Sequence, residues 1–364
     1  METTTTTQSQ MAWLRGPTIG RGSSATVSLA VANDGTDRVF AAKSAPVSTS
    51  HSLWREESIL DDLKQCPRII NCFGHDVDGR FYNLFLEFFP RGSLHDSLRH
   101  SSGSFFPEPT ARRYTRSVLK ALQFVHARGY VHCDVKLRNI LLCDDGDVKI
   151  ADFGLARKAK GKEDEEDVCS ISGTPMYMSP ESVARREYEA PMDIWAVGCA
   201  LAEMVSGRPP WQGRLGYSDD VWALLMRIGF GDEDVEIPTK ISEPGKDFLR
   251  RCLVRDPEKR WTADMLLNHP FLAEPEPEPE PEPELEPELK DDDRCCLEEW
   301  LRSPKSVLHS SPSETSLCFS SSGSSEAGTS SPADRIRILA TGKQPDWWRG
   351  SSSDENWISV REVA

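Results

Sequence analysis

What this chain lacks narrows its class before any motif is read. No apolar run approaches the ~20 residues of a bilayer-spanning helix, so no membrane helix is expected. The first residues, METTTTTQSQMAW, carry no basic patch followed by an apolar core, and Glu2 rather than glycine follows Met1. Neither a secretory signal nor N-myristoylation is therefore expected. Ten cysteines are present, but none stands in a CxxC pair and no Cys/His cluster has zinc spacing. They are expected to be reduced thiols, buried as small apolar residues where the chain folds, which suits a cytoplasmic or nuclear location, or both. Basic residues are in deficit: 43 Lys and Arg stand against 58 Asp and Glu, a formal net charge of −15. Nucleic acid is an unexpected partner for such a chain. The acidic flank of Cys295-Cys296 speaks against membrane contact there.

The acidity is not spread evenly. Residues 274–294 hold eleven carboxylates against two basic residues. The composition changes abruptly after His269-Pro270-Phe271-Leu272, where EPEPEPEPEPELEPEL begins. Proline blocks helix and strand and like charges repel, so residues 273–294 are expected to form an extended acidic linker. Residues 295–364 are Ser-rich and cannot bury a core, so they are expected to be largely disordered. Trp347, Trp348 and Trp357 interrupt that polarity, and read either as a greasy end or as a short motif that docks on the folded part or on a regulatory partner. Residues 1–12 also read as disordered, leaving residues 13–272 as the globular part.

Within it, residues 25–44 read as two strands around Asn33-Asp34-Gly35, and residues 69–88 as two more around Asp78-Gly79. Between them Leu53, Ile59, Leu60 and Leu63 recur at near-helical spacing. From Thr110 to Ala127, Tyr114, Val118, Leu122 and Val125 mark a helical face closed by Gly129. Residues 191–205, PMDIWAVGCALAEMV, are apolar all round, as a buried helix should be. The fold class is α+β: a small sheet-rich lobe with one helix over residues 13–89, and a larger helical lobe over 90–272.

The chemistry concentrates in HCDVKLRN. His132, Asp134, Lys136 and Asn139 share this run, and Asp152-Phe153-Gly154 follows. Together they offer a carboxylate to orient a hydroxyl, a cation for a moving phosphate, and an amide with a carboxylate to hold magnesium, which is the set phosphoryl transfer needs. Ile19-Gly20-Arg21-Gly22 opens a glycine-rich loop whose backbone N–H groups can approach phosphate oxygens. Lys43 ends the apolar strand VFAAK, and Glu56 on the next helix is placed to pair with it, with Glu57 as the alternative.

IGRGSSATV, VFAAK, HCDVKLRN, DFG, SPE and DIWAVG stand in the order and spacing of protein kinases, which residues 13–272 resemble. The resemblance implies the bilobal kinase fold, with ATP and Mg2+ as cofactors. Ile19, Gly20, Gly22 and Val27 would cover the nucleotide and Ala42 would line the adenine pocket. Leu86 would be the gatekeeper, with Glu87 to Phe89 the hinge that binds adenine. Lys43, fixed by Glu56, would hold the α- and β-phosphates. Asp134 would be the catalytic base and Lys136 would neutralise the γ-phosphate, while Asn139 and Asp152 would ligate magnesium. Asp193 would brace the catalytic loop, Glu181 would pair with Arg260, and Thr174 would contact Asp134.

Three residues depart from the family pattern. Ala25 replaces a third loop glycine, Ser179 the alanine of APE, and Cys133 the arginine that usually clamps an activation-loop phosphate. The last departure implies activity without that clamp. Lys136 and Gly173-Thr174-Pro175 point to serine/threonine specificity; Ser170 and Ser172 are candidate phosphosites beside the acidic Glu163–Asp167. WREESIL, GTPMYMSPE, DIWAVGCALAEMVSGRPPW and RDPEKRWTADMLLNHPFL, with the tail's NWISVR, resemble the plant MEKK-like MAP kinase kinase kinases. The implied partner is a MAP kinase kinase as protein substrate. Tyr177 and Ser179 stand where that group often has phenylalanine and alanine, at positions that would touch the substrate backbone.

Overall fold

Alternation along Val39-Phe40-Ala41-Ala42-Lys43 builds a strand with two apolar faces, and the small lobe grows around it. A computed structural model describes residues 12–22, 24–36, 38–100, 105–159, 172–211 and 221–273. The acidic linker, the Ser-rich tail with its tryptophans, residues 1–11, Ser170 and Glu163–Asp167 lie outside the described residues. Strands β1 (Trp13–Arg21), β2 (Thr26–Ala32), β3 (Val39–Pro46), β4 (Cys72–Val77) and β5 (Phe81–Leu86) form one antiparallel sheet in the order β1-β2-β3-β5-β4. Helix α1 (His51–Leu63) joins β3 to β4. The two anticipated hairpins close at Gly35 and Gly79, whose φ values of 84° and 85° suit glycine.

Strand side chains point alternately to opposite faces, and both faces of this sheet are occupied. Ala30, Ala32, Phe40, Ala42 and Phe85 make the upper face with Trp13, the Phe40 and Phe85 rings meeting edge-on at 4.9 Å. Ala41, Leu84 and Leu86 make the lower face, in one core with Leu53, Ile59, Leu60 and Leu63 of α1.

The larger lobe holds α2 (Leu94–His100), α3 (Glu108–Ala127), α4 (Pro180–Ala184), α5 (Ala190–Ser206), α6 (Val221–Phe230), α7 (Glu243–Cys252) and α8 (Ala263–Leu267). Four short strands, β6 (Tyr130–Val131), β7 (Ile140–Leu142), β8 (Val148–Ile150) and β9 (Arg157–Lys158), pair as β6–β9 and β7–β8 and frame the loops that carry the site. Every residue of α5 from Met192 to Val205 is buried, as its all-round apolarity requires. Gly198 lets α5 meet α7 closely: a Cβ there would stand 2.8 Å from the Cβ of Cys252. Among the described residues no helix is long and apolar enough to cross a membrane.

Candidate active site

Lys43 reaches into the space between the lobes because its register partners, Val27 and Leu84, share the lower face of the sheet. Its Nζ lies 2.6 Å from Glu56 Oε2 and 2.7 Å from Asp152 Oδ1. The fully buried Glu56 also accepts the Phe153 N–H at 3.1 Å. One ion cluster thus joins β3, α1 and the DFG segment. The choice between neighbouring glutamates is settled by helix geometry. Glu57, one step further round α1, takes the Tyr82 hydroxyl and lies 2.8 Å from His75 Nδ1.

Asp152 turns toward Lys43 through a left-handed backbone, φ 63°, a strained conformation of the kind that collects at functional sites. Gly154 leaves the room: a Cβ there would stand 3.3 Å from Asp152 Oδ1. Burial works to raise the Asp152 carboxyl, but the Lys43 charge overcomes it and holds the group at about 2. Burial likewise opposes the Lys43 ammonium, and the Asp152 and Glu56 carboxylates raise it above the ordinary lysine range. Phe153 is fully buried and meets the His132 ring edge-on at 4.6 Å, which seats the segment in the core.

The period-two pattern corrects one expectation. Ala42 does not line the nucleotide side; it lies on the upper face with Phe40 and Phe85. The cleft-facing alanine is Ala41, two residues before Lys43 and opposite Leu86 in register. Counting back by two from the lysine would have identified it in the sequence. Gly20 pairs with Val27 where β1 turns into β2, and the Gly22 N–H closes that turn on the Ala25 carbonyl at 2.8 Å. Ile19 falls at the register shift between Thr18 and Gly20 and stays exposed. At the hinge, Glu87 commits its N–H to the Asn71 carbonyl (2.9 Å) and its carboxylate to Lys149 (2.8 Å). Phe89 is buried just beyond it.

The catalytic loop between β6 and β7 is pinned from below. Asp193 of α5 accepts the backbone N–H groups of His132 and Cys133, both at 2.9 Å, and its Oδ2 lies 2.9 Å from His126 Nε2. Burial would raise the Asp193 carboxyl; these hydrogen bonds and the His126 charge hold it below the usual range instead. His126 was not anticipated, since nothing in its local sequence marks it as a partner. On the braced loop, Asp134 Oδ2 lies 2.7 Å from Lys136 Nζ, and Asp134 Oδ1 accepts the Thr174 hydroxyl at 2.7 Å. Thr174 in turn accepts from Lys136 at 2.7 Å. Asn139 donates its amide to the Asp134 carbonyl at 2.9 Å and to Asp134 Oδ2 at 3.0 Å, which turns its own carbonyl oxygen elsewhere. Thr174 is therefore a structural bridge in the site.

Cys133 is buried against Val131 and Met192, with Tyr188 packed beside them, and burial pushes its thiol well up. An uncharged, inaccessible thiol is a packing residue. Glu181 and Arg260 meet as anticipated, through two hydrogen bonds of 2.6 and 2.9 Å. Ser179 corrects a second expectation. It is fully buried and caps α4 by accepting the Ser182 N–H, so it supports the segment from within instead of touching substrate. Tyr177 also turns its hydroxyl inward, onto the buried Glu203 of α5. Ser172 donates its N–H to the Tyr188 hydroxyl at 3.1 Å.

A glycine-rich turn between β1 and β2, the Lys43–Glu56–Asp152 cluster and the Asp134–Lys136 pair together form the set of groups that a phosphotransferase using ATP requires. The protein kinase domain model matches residues 13–272. The chain is 43% identical over 359 residues to mitogen-activated protein kinase kinase kinase 20 of Arabidopsis thaliana, covering 96% of this chain and 100% of that protein. It is 42% identical to kinase kinase kinase 17 of the same plant over 72% of this chain and 70% of the relative, and 39% identical to kinase kinase kinase 18 over 73% and 79%. The chain belongs to the protein kinase family, as a serine/threonine kinase of the plant MEKK-like MAP kinase kinase kinase type.

Proposed function

We propose that this kinase transfers the γ-phosphoryl group of ATP to a serine or threonine of a MAP kinase kinase, in the cytoplasm or nucleus. The observation that supports the reading most is the simultaneous presence of both halves of the site. Lys43 is locked to Glu56 and Asp152, and Asp134 is already bound by Lys136 and Thr174.

The roles follow from those contacts. Lys43, a fixed cation at the strand end, takes the non-transferred phosphates. Asp134 receives the proton of the substrate hydroxyl as its oxygen attacks the γ-phosphorus and ADP leaves. Lys136, within reach of Asp134, follows the charge of the moving phosphoryl group. Such positioning and charge stabilisation supply nearly all of the catalysis in this reaction class. The donor set fits Mg2+: Asp152 stays ionised with 38% of its side chain exposed, and Asn139 has an amide oxygen turned away from Asp134. Bound there, magnesium would neutralise phosphate charge.

The names of the relatives carry the choice of substrate. Incubation with a panel of kinase-dead MAP kinase kinases, followed by mapping of the modified residues, tests it. Phosphorylation of one or more at defined Ser/Thr sites, abolished by Asp134→Asn, is expected. Modification of none of them while generic protein substrates are turned over would overturn it. The tail, residues 273–364, is proposed to bind a regulator or dock a partner; its deletion should change partner capture or activity.

A further inference from the structure

The chain crosses from β5 into the larger lobe through Glu87, Phe88 and Phe89, and beside that covalent crossing the lobes share a backbone ladder. The stretch between α1 and β4 belongs to the smaller lobe by sequence. Yet Ile70 donates its N–H to the Ile150 carbonyl of β8 at 3.0 Å, and Ile150 donates its own to the Arg68 carbonyl at 2.9 Å. The Arg68 guanidinium pairs with Asp147 and donates to the Ser117 hydroxyl of α3 at 2.9 Å. This stretch is therefore fastened to the larger lobe while both of its ends run into the smaller one.

Glu87 sits where the crossing and the ladder meet. Strands β4 and β5 run antiparallel with Cys72 opposite Leu86, so Asn71 and Glu87 face each other one step past the end of the pairing. The Asn71 backbone N–H and its side-chain amide both donate to Glu87 Oε2, at 3.1 and 2.8 Å. From the larger lobe, Lys149 of β8 places its Nζ 2.9 and 2.8 Å from the two oxygens of the same carboxylate. That Nζ also lies 5.9 Å from the centre of the Phe89 ring, so one cation grips both ends of the crossing. Asn71 is exposed and Lys149 half-buried, so neither fills a core. The ion pair is only partly open to solvent, with side-chain exposures of 17% and 26%, and is weakly screened. Lys149 precedes Asp152 by three residues, so any slip of β8 against the hinge displaces the carboxylate that faces Lys43.

We propose that Lys149 and Asn71 are positioning residues: through the Glu87 carboxylate they hold the hinge in the closed arrangement in which Lys43 meets Asp152, and so set how fast the product nucleoside diphosphate leaves. Release needs the lobes to swing apart about the hinge. They do so only by straining or parting a half-buried charge pair and the amide bonded to it. Loss of such a pair shows mainly as faster dissociation. The inference rests on ATP as the phosphoryl donor and is independent of which protein is the acceptor.

The test follows release of a fluorescent ADP analogue, with Mg2+ present, from the full chain on mixing with excess ATP. Three variants are compared with wild type. Lys149→Met keeps the length of the side chain and removes its charge, Asn71→Ala removes the amide, and Lys149→Arg restores a cation. The dissociation rate should rise roughly five- to tenfold in Lys149→Met and about two- to threefold in Asn71→Ala, and should return to within about twofold of wild type in Lys149→Arg. Tm should move by no more than about 3 °C in any of them, since the pair is partly exposed and the core is untouched. An unchanged rate in both Lys149→Met and Asn71→Ala overturns the proposal. So does a rise that Lys149→Arg shares in full, because the cation would then be irrelevant. A faster release that comes only with a collapse of the melting transition overturns it too, by assigning these residues to folding. Wild-type enzyme that binds no ADP analogue removes the nucleotide reading, and this proposal falls with it.

Discussion

Two buried ion pairs in this kinase have opposite designs. Lys43, Glu56 and Asp152 come from three elements on both sides of the cleft, and the cluster opens to solvent through the 38% exposure of the Asp152 side chain. Glu181 and Arg260 both lie in the larger lobe, at 4% and 0% exposure, and Arg260 is further tied to the Val254 and Pro191 carbonyls. The first cluster can exchange partners: a lysine ammonium is a point charge on a flexible stem, and carboxylates can be protonated. The second is built on a guanidinium, which stays charged and binds a carboxylate through a rigid fork. The cluster proposed to meet nucleotide is the adjustable one, and the cluster that ties α4 to the start of α5 is permanent.

Breaking each cluster should therefore fail in a different way. Lys43→Met is expected to lower kcat by about a thousandfold or more, since the phosphates lose their fixed cation. Its thermal unfolding should move little. Burial already pushes the Glu56 carboxyl upward, so without Lys43 it can take up a proton instead of remaining an unpaired charge. A collapse of the melting transition in this variant would show that the first cluster also holds the lobes together. Glu181→Ala should do the reverse. It leaves the Arg260 charge buried with only carbonyl partners, which costs about 3 kcal/mol. For a domain of this size that lowers Tm by roughly 6 °C, as calorimetry would show. The surviving folded fraction should retain most of its specific activity.

The same contrast can be sharpened within one strand. Ala41 and Ala42 are neighbours on opposite faces of β3. Ala41→Leu should fill space on the nucleotide side and raise KM for ATP about tenfold, a cost of about 1.4 kcal/mol. Ala42→Leu should overpack Phe40 and Phe85 and destabilise the lobe by about 1–3 kcal/mol, leaving KM for ATP unchanged. Equal effects on KM would mean that the face assignment of β3 is wrong.

How much of this was legible beforehand depended on whether the signal was local. HCDVKLRN, DFG and the strand VFAAK are contiguous runs, and the side chains they supply meet at 2.7 Å around Lys43 and Asp134. The hairpins, α1, α3 and α5 were readable because period and turn residues are written in short windows. Ala42 was misplaced although the strand period contains the answer, so that was a failure of counting and not of information. Ser179 and Tyr177 were different. Their partners are an N–H three residues on and Glu203 on a distant stretch of α5, and only the folded chain shows that both reach inward. His126 beneath Asp193 is of the same kind: two residues 67 apart that packing alone brings together.

The smallest expected effect concerns Cys133, and it is the one that most directly separates the two designs. In a kinase with arginine at this position, the catalytic loop would carry a positive charge that an activation-loop phosphate must neutralise. Here the position is a buried thiol among Val131, Met192 and Tyr188, which carries no such charge. The loop is held instead by Asp193, which takes both the His132 and Cys133 N–H groups at 2.9 Å. The Lys43–Glu56 pair is closed as well, at 2.6 Å. Bacterially produced, phosphatase-treated enzyme should therefore keep its activity within about twofold of the untreated enzyme, since position 133 carries no arginine for such a phosphate to pair with. A loss of tenfold or more on dephosphorylation, restored by autophosphorylation at Ser170 or Ser172, would mean that another cation has taken over the clamp. The adjustable part of this kinase would then extend beyond the Lys43 cluster into the activation segment.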